Sequence, residues 1–453
     1  MLTLSQILAL VIFLVMFVAI IIGKVHRYIP ALIGGGLVIV IVFLGVMQSP
    51  ESVVNTFNLG QLGQFKFWFP GHDHIESRGI NWRTIIFIAG MMLMVEGLAA
   101  AGFFRWLCLY VAKICKYRVI PIFVSFIVLS GFLSMFIDSI TVMLFLASVT
   151  IELARLLKFD PIPVIIAEIF ASNVGGSATM SGDPPNIIIG TALGYTFTDF
   201  LTNTGPIAWA GMVVTVIFFY LCFRKILAPS GAASEGTSQA YPQPKEAISN
   251  PTLFVLNTGI FILLIVLLVT HATTGLSVAT IGVIAAVLSI LAAGKKASHI
   301  ILKFDWRTVL FFIGLFVCVG GLEETGTLKV VANYIGDVSG GNIFLVVPII
   351  LWLSAFLSAI VDNIPLAATL VPVISSLAQT TGISLPTLAW ATALGTDIGG
   401  NGTPIGASAN VVGTAVAEKE GYPCSWGRFC KYALPGMILV VAVCHVLLIV
   451  FHT

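Results

Sequence analysis

A duplicated, glycine-interrupted polar stretch constrains this chain more than any other feature. Asn173-Val174-Gly175-Gly176-Ser177-Ala178-Thr179-Met180-Ser181-Gly182-Asp183-Pro184-Pro185-Asn186 aligns with Asp397-Ile398-Gly399-Gly400-Asn401-Gly402-Thr403-Pro404-Ile405-Gly406-Ala407-Ser408-Ala409-Asn410, at an offset of 224 residues. The same offset relates Trp82-Arg83-Thr84 to Trp306-Arg307-Thr308, and Gly90, Gly97 and Gly102 to Gly314, Gly321 and Gly326. It also relates Ser130, Leu133, Ser134 and Asp138 to Ser354, Leu357, Ser358 and Asp362. Two halves of one plan, each with apolar runs broken by Gly, Pro and polar residues at matching places, point to a membrane carrier. Its site is expected between the halves.

The surrounding sequence has to live in lipid. Hydrophobic residues make up 58% of the chain and charged residues only 9%, against roughly 25% charged in soluble domains. Apolar stretches long enough for a bilayer core of about 30 Å recur along the whole length. The seven cysteines stand singly in or beside apolar runs, which reads as reduced packing residues rather than a metal set. The first apolar run lacks the basic start and cleavage site of a signal peptide, so it is expected to be a retained span.

Full spans are expected near residues 4–22, 29–47, 84–102, 206–223, 252–270, 276–293, 307–322 and 433–451, with broken crossings over 162–198 and 386–414. Segments 120–157 and 343–379 carry an Asp near the middle of each, and fit two short arms better than one span. They are expected to be re-entrant hairpins, whose non-helical tips must be buried in protein or line water. The fold class is therefore an all-α polytopic membrane protein, an inverted repeat with about ten spans, two of them broken, plus two hairpins. The expected organisation is an N-terminal repeat over 1–228, a flexible cytoplasmic linker over 229–250 and an inverted C-terminal repeat over 251–453.

Basic residues give an independent test. With both termini outside, 18 of the 22 Lys and Arg fall on the cytoplasmic side, as the positive-inside bias requires. Counting either hairpin as a full span reverses everything after it and spoils the pattern. The expected location is a multi-pass protein of the cell membrane. Residues 103–118 are expected to form an interfacial helix, and His72-Asp73-His74 is read as ordinary outer-loop sequence.

An ionisable side chain at mid-membrane depth costs at least about 2.5 kcal/mol, which makes each one a functional candidate. Asp138, followed by Ser139 and Thr141, and Asp362, followed by Asn363, come first; the plainer reading is that each caps the second arm of its hairpin. In the first break, Asn173, Thr179, Ser181, Asp183 and Asn186 bring side chains to unwound backbone. The second break brings Asp397, Asn401, Thr403, Ser408 and Asn410. Close packing by small residues explains the glycines but not these polar neighbours. Asp138, Asn173, Thr179, Asp183, Asp362, Asn363, Asp397, Thr403 and Asn410 are expected around one central cavity, with Na⁺ contacts at Asp138, Asn173, Thr179, Asp362, Asp397 and Thr403. Glu168 and Glu96, each inside an apolar run and neither duplicated, are candidate proton carriers.

These motifs, above all the two glycine-rich stretches with Asp183-Pro184-Pro185-Asn186 and Ala407-Ser408-Ala409-Asn410, resemble the ion transporter superfamily. That group includes ArsB arsenite permeases, NhaD sodium/proton antiporters, the melanosomal P protein and sodium–dicarboxylate symporters, and the match is most similar to the P-protein branch. The resemblance spans nearly the whole chain. It implies a homodimer in which hairpins and broken helices form a transport domain that moves as an elevator against a scaffold. Sodium–dicarboxylate relatives carry Ser-Asn-Thr at both hairpin tips, whereas this chain has Asp138-Ser139-Ile140-Thr141 and Asp362-Asn363-Ile364-Pro365. Two carboxylates there repel a dicarboxylate unless protonated or masked by cations.

The function expected is an ion-coupled secondary transporter for a small inorganic ion or anion, with protons preferred over Na⁺ because acids occupy the tips. A Na⁺-driven organic-acid, sulfate or dicarboxylate symporter, or a passive channel, is the alternative. No catalytic signature is present, so an enzyme is not expected. Nor is any cofactor beyond a coupling H⁺ or Na⁺; the expected partners are the lipid bilayer and a small ion, with no nucleic acid.

Overall fold

A computed structural model describes residues 2–71, 79–227 and 241–453. Numbering the helices of ten residues or more, the first half runs α1 (Leu4–Ile22), α2 (Tyr28–Leu37, continued as a π-helix over Val38–Val46), α3 (Trp82–Ala100) and α4 (Phe103–Ile114). It continues with α5 (Val119–Ser134), α6 (Ser139–Leu157), α7 (Ile162–Gly176), α8 (Pro184–Leu193) and α9 (Phe197–Phe223). The second half runs α10 (Pro251–Thr274), α11 (Val278–Ala293), α12 (Trp306–Glu324), α13 (Thr327–Ser339) and α14 (Ile343–Ser358). It ends with α15 (Asn363–Thr381), α16 (Leu385–Gly399), α17 (Ser408–Lys419) and α18 (Trp426–His452).

The duplicated residues dictate local structure in both halves. Asn81 caps α3 by accepting from Thr84 N–H, and Asp305 caps α12 by accepting from Arg307 N–H, satisfying donors that a helix start leaves free. Gly102 and Gly326 both adopt left-handed φ, +87° and +73°, at the starts of α4 and α13, where a side chain would be strained. Packing repeats as well. α2 lies on α12 and α3 on α11; α5 lies on α7 and α14 on α16; α6 lies on α17 and α8 on α15. The first and third of these pairings exchange partners between the halves, so neither half packs alone.

Backbone contacts carry the crossings. A Cβ on Gly90 would sit 2.1 Å from Gly282 O, and one on Gly314 would sit 2.5 Å from Ala31 C. Close approach of this kind is how helices gain packing where lipid supplies no hydrophobic drive. The outward faces are apolar: Leu14, Val15, Val255 and Val266 are exposed on α1 and α10. Residues 177–183 of the first break are unwound and wholly buried, the one setting in which irregular backbone survives at membrane depth.

Several expectations need adjustment. Among the described residues, nine helices are long and apolar enough to cross a membrane, and these include α6 and α15. The hairpins are therefore not two short arms. Each first arm has 16 residues and each second arm 19, about 24 and 28 Å of helix. α11 is shorter, at 16 residues. Residues 229–240 of the expected linker and His72-Asp73-His74 lie outside the described residues. Residues 241–247 do not hang free: Tyr117 stacks on Tyr241 at 4.2 Å and its hydroxyl donates to Pro242 O at 2.7 Å.

Candidate functional site

The hairpin turns begin where α5 and α14 stop. Met135 O accepts from the Thr179 hydroxyl and from Ser181 Oγ at 3.2 Å; in the second half Ala359 O accepts from Thr403 Oγ1 at 2.5 Å. Each break thus ties down the turn of its own hairpin, spending one of the peptide acceptors that a helix end leaves free. Asp138 then caps α6, taking Thr141 N–H at 2.9 Å and the Thr141 hydroxyl at 2.8 Å. Asp362 caps α15 through Ile364 N–H at 3.1 Å. The capping role weighed from sequence is present at both positions.

One acid joins the two tips. Ser139 Oγ donates to Asp183 Oδ1 at 2.7 Å, and Asn363 Nδ2 donates to Asp183 Oδ2 at 2.7 Å. Ser139 and Asn363 are equivalent residues of the two halves, yet the position equivalent to Asp183 is Ala407. A single carboxylate at the start of α8 therefore receives both hairpins. Burial makes this arrangement consequential, because each donor would be costly to leave unpaired.

A second cluster joins the two breaks to each other. Asn173 Nδ2 donates to Asn401 Oδ1 and to Asn410 Oδ1, both at 2.9 Å. Asn410 Nδ2 donates in turn to Gly400 O at 2.8 Å and Thr403 O at 2.7 Å. Asn186 does the same in the first break, donating to Gly176 O and Thr179 O, both at 3.0 Å. Asp397 lies in this cluster, fully buried. Asn-to-carbonyl bonds of this type replace the helical partners that the unwound carbonyls have lost.

A third group lines an open cavity of about 740 Å³. Asp138, Thr141, Ser181, Asp362 and Ser408 face it from the hairpins and breaks, and Arg27, Glu96, Lys303 and Thr308 face it from the other helices. Arg27 Nη1 donates to Asp362 Oδ2 at 3.3 Å and to Ser408 Oγ at 2.9 Å, while Nη2 donates to Thr308 Oγ1 at 3.4 Å. Its guanidinium lies over the Phe311 ring, 4.9 Å from the centroid. Ser408 also donates to Asp362 Oδ2 at 3.0 Å.

The candidates therefore do not surround one cavity. Asp138, Thr141, Ser181, Asp362 and Ser408 line it; Ser139, Asp183 and Asn363 meet behind it; Asn173, Asn186, Asp397, Asn401 and Asn410 form a solid polar core, with Thr179 and Thr403 bracing the turns. Glu96 pairs with Lys303 at 2.7 Å and is partly exposed in the cavity. Glu168 is fully buried, takes the Thr150 hydroxyl at 2.5 Å and has a second oxygen without a partner. Arg27 carries no signal in the sequence: nothing local distinguishes it from its neighbours Lys24 and His26.

Comparison with known proteins agrees with this architecture. A family model described as a citrate transporter matches residues 17–395. An uncharacterized transporter of Mycobacterium tuberculosis is 32% identical over 94% of this chain and 94% of its own. The P protein of Mus musculus is 28% identical over 84% of this chain, which spans 55% of that protein. Among solved structures, Neisseria gonorrhoeae MtrF, described as one of a class of antimetabolite efflux pumps, has a TM-score of 0.56 at 12% identity, covering 100% of this chain and 95% of its own. The Alcanivorax borkumensis YdaH transporter has a TM-score of 0.54 at 16% identity, covering 89% and 87%. With duplicated breaks and hairpin turns drawn onto one buried acid, and a family match over most of its length, the chain belongs to the citrate transporter family of the ArsB/NhaD superfamily, as a multi-pass secondary membrane transporter.

Proposed function

We propose that the protein is an ion-coupled secondary active transporter that moves a small inorganic ion or anion by alternating access, with protons or Na⁺ as the coupling ion. The observation that carries the reading is the convergence of both hairpin tips on Asp183, behind a cavity that the tip acids Asp138 and Asp362 line. A substrate entering that cavity meets both tips at once. A shift of the tips relative to Arg27 and Thr308 changes the wall it faces. Arg27, just before α2, and Thr308 on α12 meet there, and Arg27 holds Asp362 and Ser408 across the cavity, which is the kind of contact that an elevator motion of hairpins and breaks against the remaining helices makes and breaks.

A second reading, an organic-acid symporter, is favoured by the citrate description of the matching family and by Arg27. Pairing with Arg27 offsets one of the two tip charges, so a carboxylate substrate has fewer acids to mask than the bare sequence implied. The test is a proteoliposome assay with an entrapped pH indicator. Na⁺, arsenite, phosphate, sulfate and citrate are added one at a time, with and without an imposed proton or Na⁺ gradient. The reading expects one of them to accumulate under a gradient in the native chain and not in Asp183→Ala; accumulation unaffected by Asp183→Ala refutes it.

A further inference from the structure

A second cavity, of about 280 Å³, reaches the first break and α8. It comes close to the first cavity along the chain: Ser181, Pro184 and Ile187 line the larger, while Met180, Gly190 and Thr191 line the smaller. Met180 is buried and packs against Gly190, where an added Cβ would sit 2.8 Å from its side chain. Thr191 also fastens α8 to α3. Asn81 Nδ2 donates to Thr191 Oγ1 at 2.8 Å, and the Thr191 hydroxyl gives its own proton to Ile187 O at 2.6 Å. The contact between Thr84 Oγ1 and Thr191 Oγ1, at 2.6 Å, therefore runs from Thr84 to Thr191. One oxygen on α8 thus receives two donors from the start of α3, and all three side chains are buried.

The second half has the matching positions without the clasp. Asp305, Thr308 and Ala415 correspond to Asn81, Thr84 and Thr191. A methyl group stands in place of the receiving hydroxyl, and Thr308 donates instead to Asp305 Oδ2 at 2.6 Å. At this place the larger cavity lies open, lined by Asp305 and Thr308 from the start of α12 and by Ser408 and Val411 of α17. Matched positions of an inverted repeat fall towards opposite membrane faces. The fastened end and the open end are therefore on opposite sides.

On the reading of the protein as an alternating-access transporter, we infer that the two cavities are the two ends of one path, and that the Asn81–Thr84–Thr191 clasp is the latch that holds it shut at the smaller end. α3 is fixed against α11 by backbone contact, since a Cβ on Gly90 would meet Gly282 O at 2.1 Å, so α8 is the side that moves. It moves with its hairpin, because Thr179 and Ser181 just before it both donate to Met135 O. Hydrogen bonds suit a latch. Dry and buried, they hold the two helices together; water entering an opened path replaces them at small net cost. Ala415 leaves the opposite end without this latch, so the clasp biases the resting protein towards the state open at Arg27.

The test is the double variant Thr84→Cys/Thr191→Cys, which replaces hydroxyls 2.6 Å apart and brings two thiols within reach of a disulfide. Flux is measured in proteoliposomes with Na⁺, arsenite, phosphate, sulfate and citrate as separate probes. Oxidation should abolish gradient-driven flux, and a reductant should restore it. The native chain, with seven cysteines of its own, receives the same oxidant and should keep its flux. A pair shown by mass spectrometry to be cross-linked, yet still carrying flux, overturns the inference. If the pair fails to fold, to cross-link or to transport when reduced, Thr191→Cys alone decides through labelling by a membrane-impermeant maleimide. Its labelling above the native background must speed up when a transported probe and a gradient are supplied together, and an unchanged rate also overturns the inference. A native chain without gradient-driven flux for any probe fails the transporter reading instead, which keeps the two failures apart.

Discussion

Removing Asp183 tests whether one buried carboxylate holds both hairpin tips. Asp183→Ala deletes the acceptor of two hydrogen bonds, from Ser139 Oγ and Asn363 Nδ2, each at 2.7 Å. It leaves both donors buried, since Ser139 and Asn363 are each 3% exposed. A buried donor without its partner costs about 1–3 kcal/mol, so Asp183→Ala should cost about 2–6 kcal/mol and Ser139→Ala or Asn363→Ala about half as much each. The double variants are more informative than the singles. Once Asp183 is gone, truncating Ser139 or Asn363 removes a donor that already lacks a partner, so each pair should show a coupling of about 0.5–3 kcal/mol. The assay is reversible unfolding in mixed detergent micelles for the four corners of each cycle. Costs that simply add, within about 0.5 kcal/mol, refute the claim that Asp183 receives either tip.

Two further perturbations probe the frame around the site. Gly175→Ala would press a Cβ to 2.1 Å from Gly131 O on α5, and backbone cannot move aside, so stability should fall by about 1–3 kcal/mol or more; Gly36→Ala, with nothing within 4 Å of its Cβ, should be neutral or stabilising in the same unfolding assay. Arg27→Gln should change unfolding by no more than about 1 kcal/mol, because the pair is partly exposed. In flux assays it should nevertheless weaken apparent substrate affinity about tenfold, the equivalent of one charge-assisted contact, and unchanged affinity would remove Arg27 from the site.

What the sequence made legible follows from what repetition encodes. The breaks, hairpin turns and helix starts are set by Gly, Pro, Asn and Asp at duplicated positions, so Gly102 with Gly326 could be read directly, whereas the caps Asn81 and Asp305 emerge only with the fold. Pro184 restarts α8 where the Pro-Pro pair predicts it. Duplication also drew attention to Asp138 and Asp362, which the structure shows as helix caps lining the cavity. The buried acids of the breaks are the unduplicated ones, Asp183 opposite Ala407 and Asp397 opposite Asn173. They stand out in the sequence as acids within the breaks, but what each contacts does not follow from symmetry, because it lies in how the halves differ. Arg27 was invisible for another reason: its partners Asp362 and Ser408 are 335 and 381 residues away, and only the fold brings them together.

Coupling is the central claim, and reversing the driving gradient tests it most directly. In proteoliposomes containing the native chain, the solute that moves protons in the indicator assay is supplied at equal concentration on both sides, and a proton or Na⁺ gradient is imposed first inward and then outward. The account predicts net solute movement against its own equality, with a direction that reverses when the gradient is reversed. Solute that stays equal on both sides under either gradient would contradict it, and would make the protein a passive pathway.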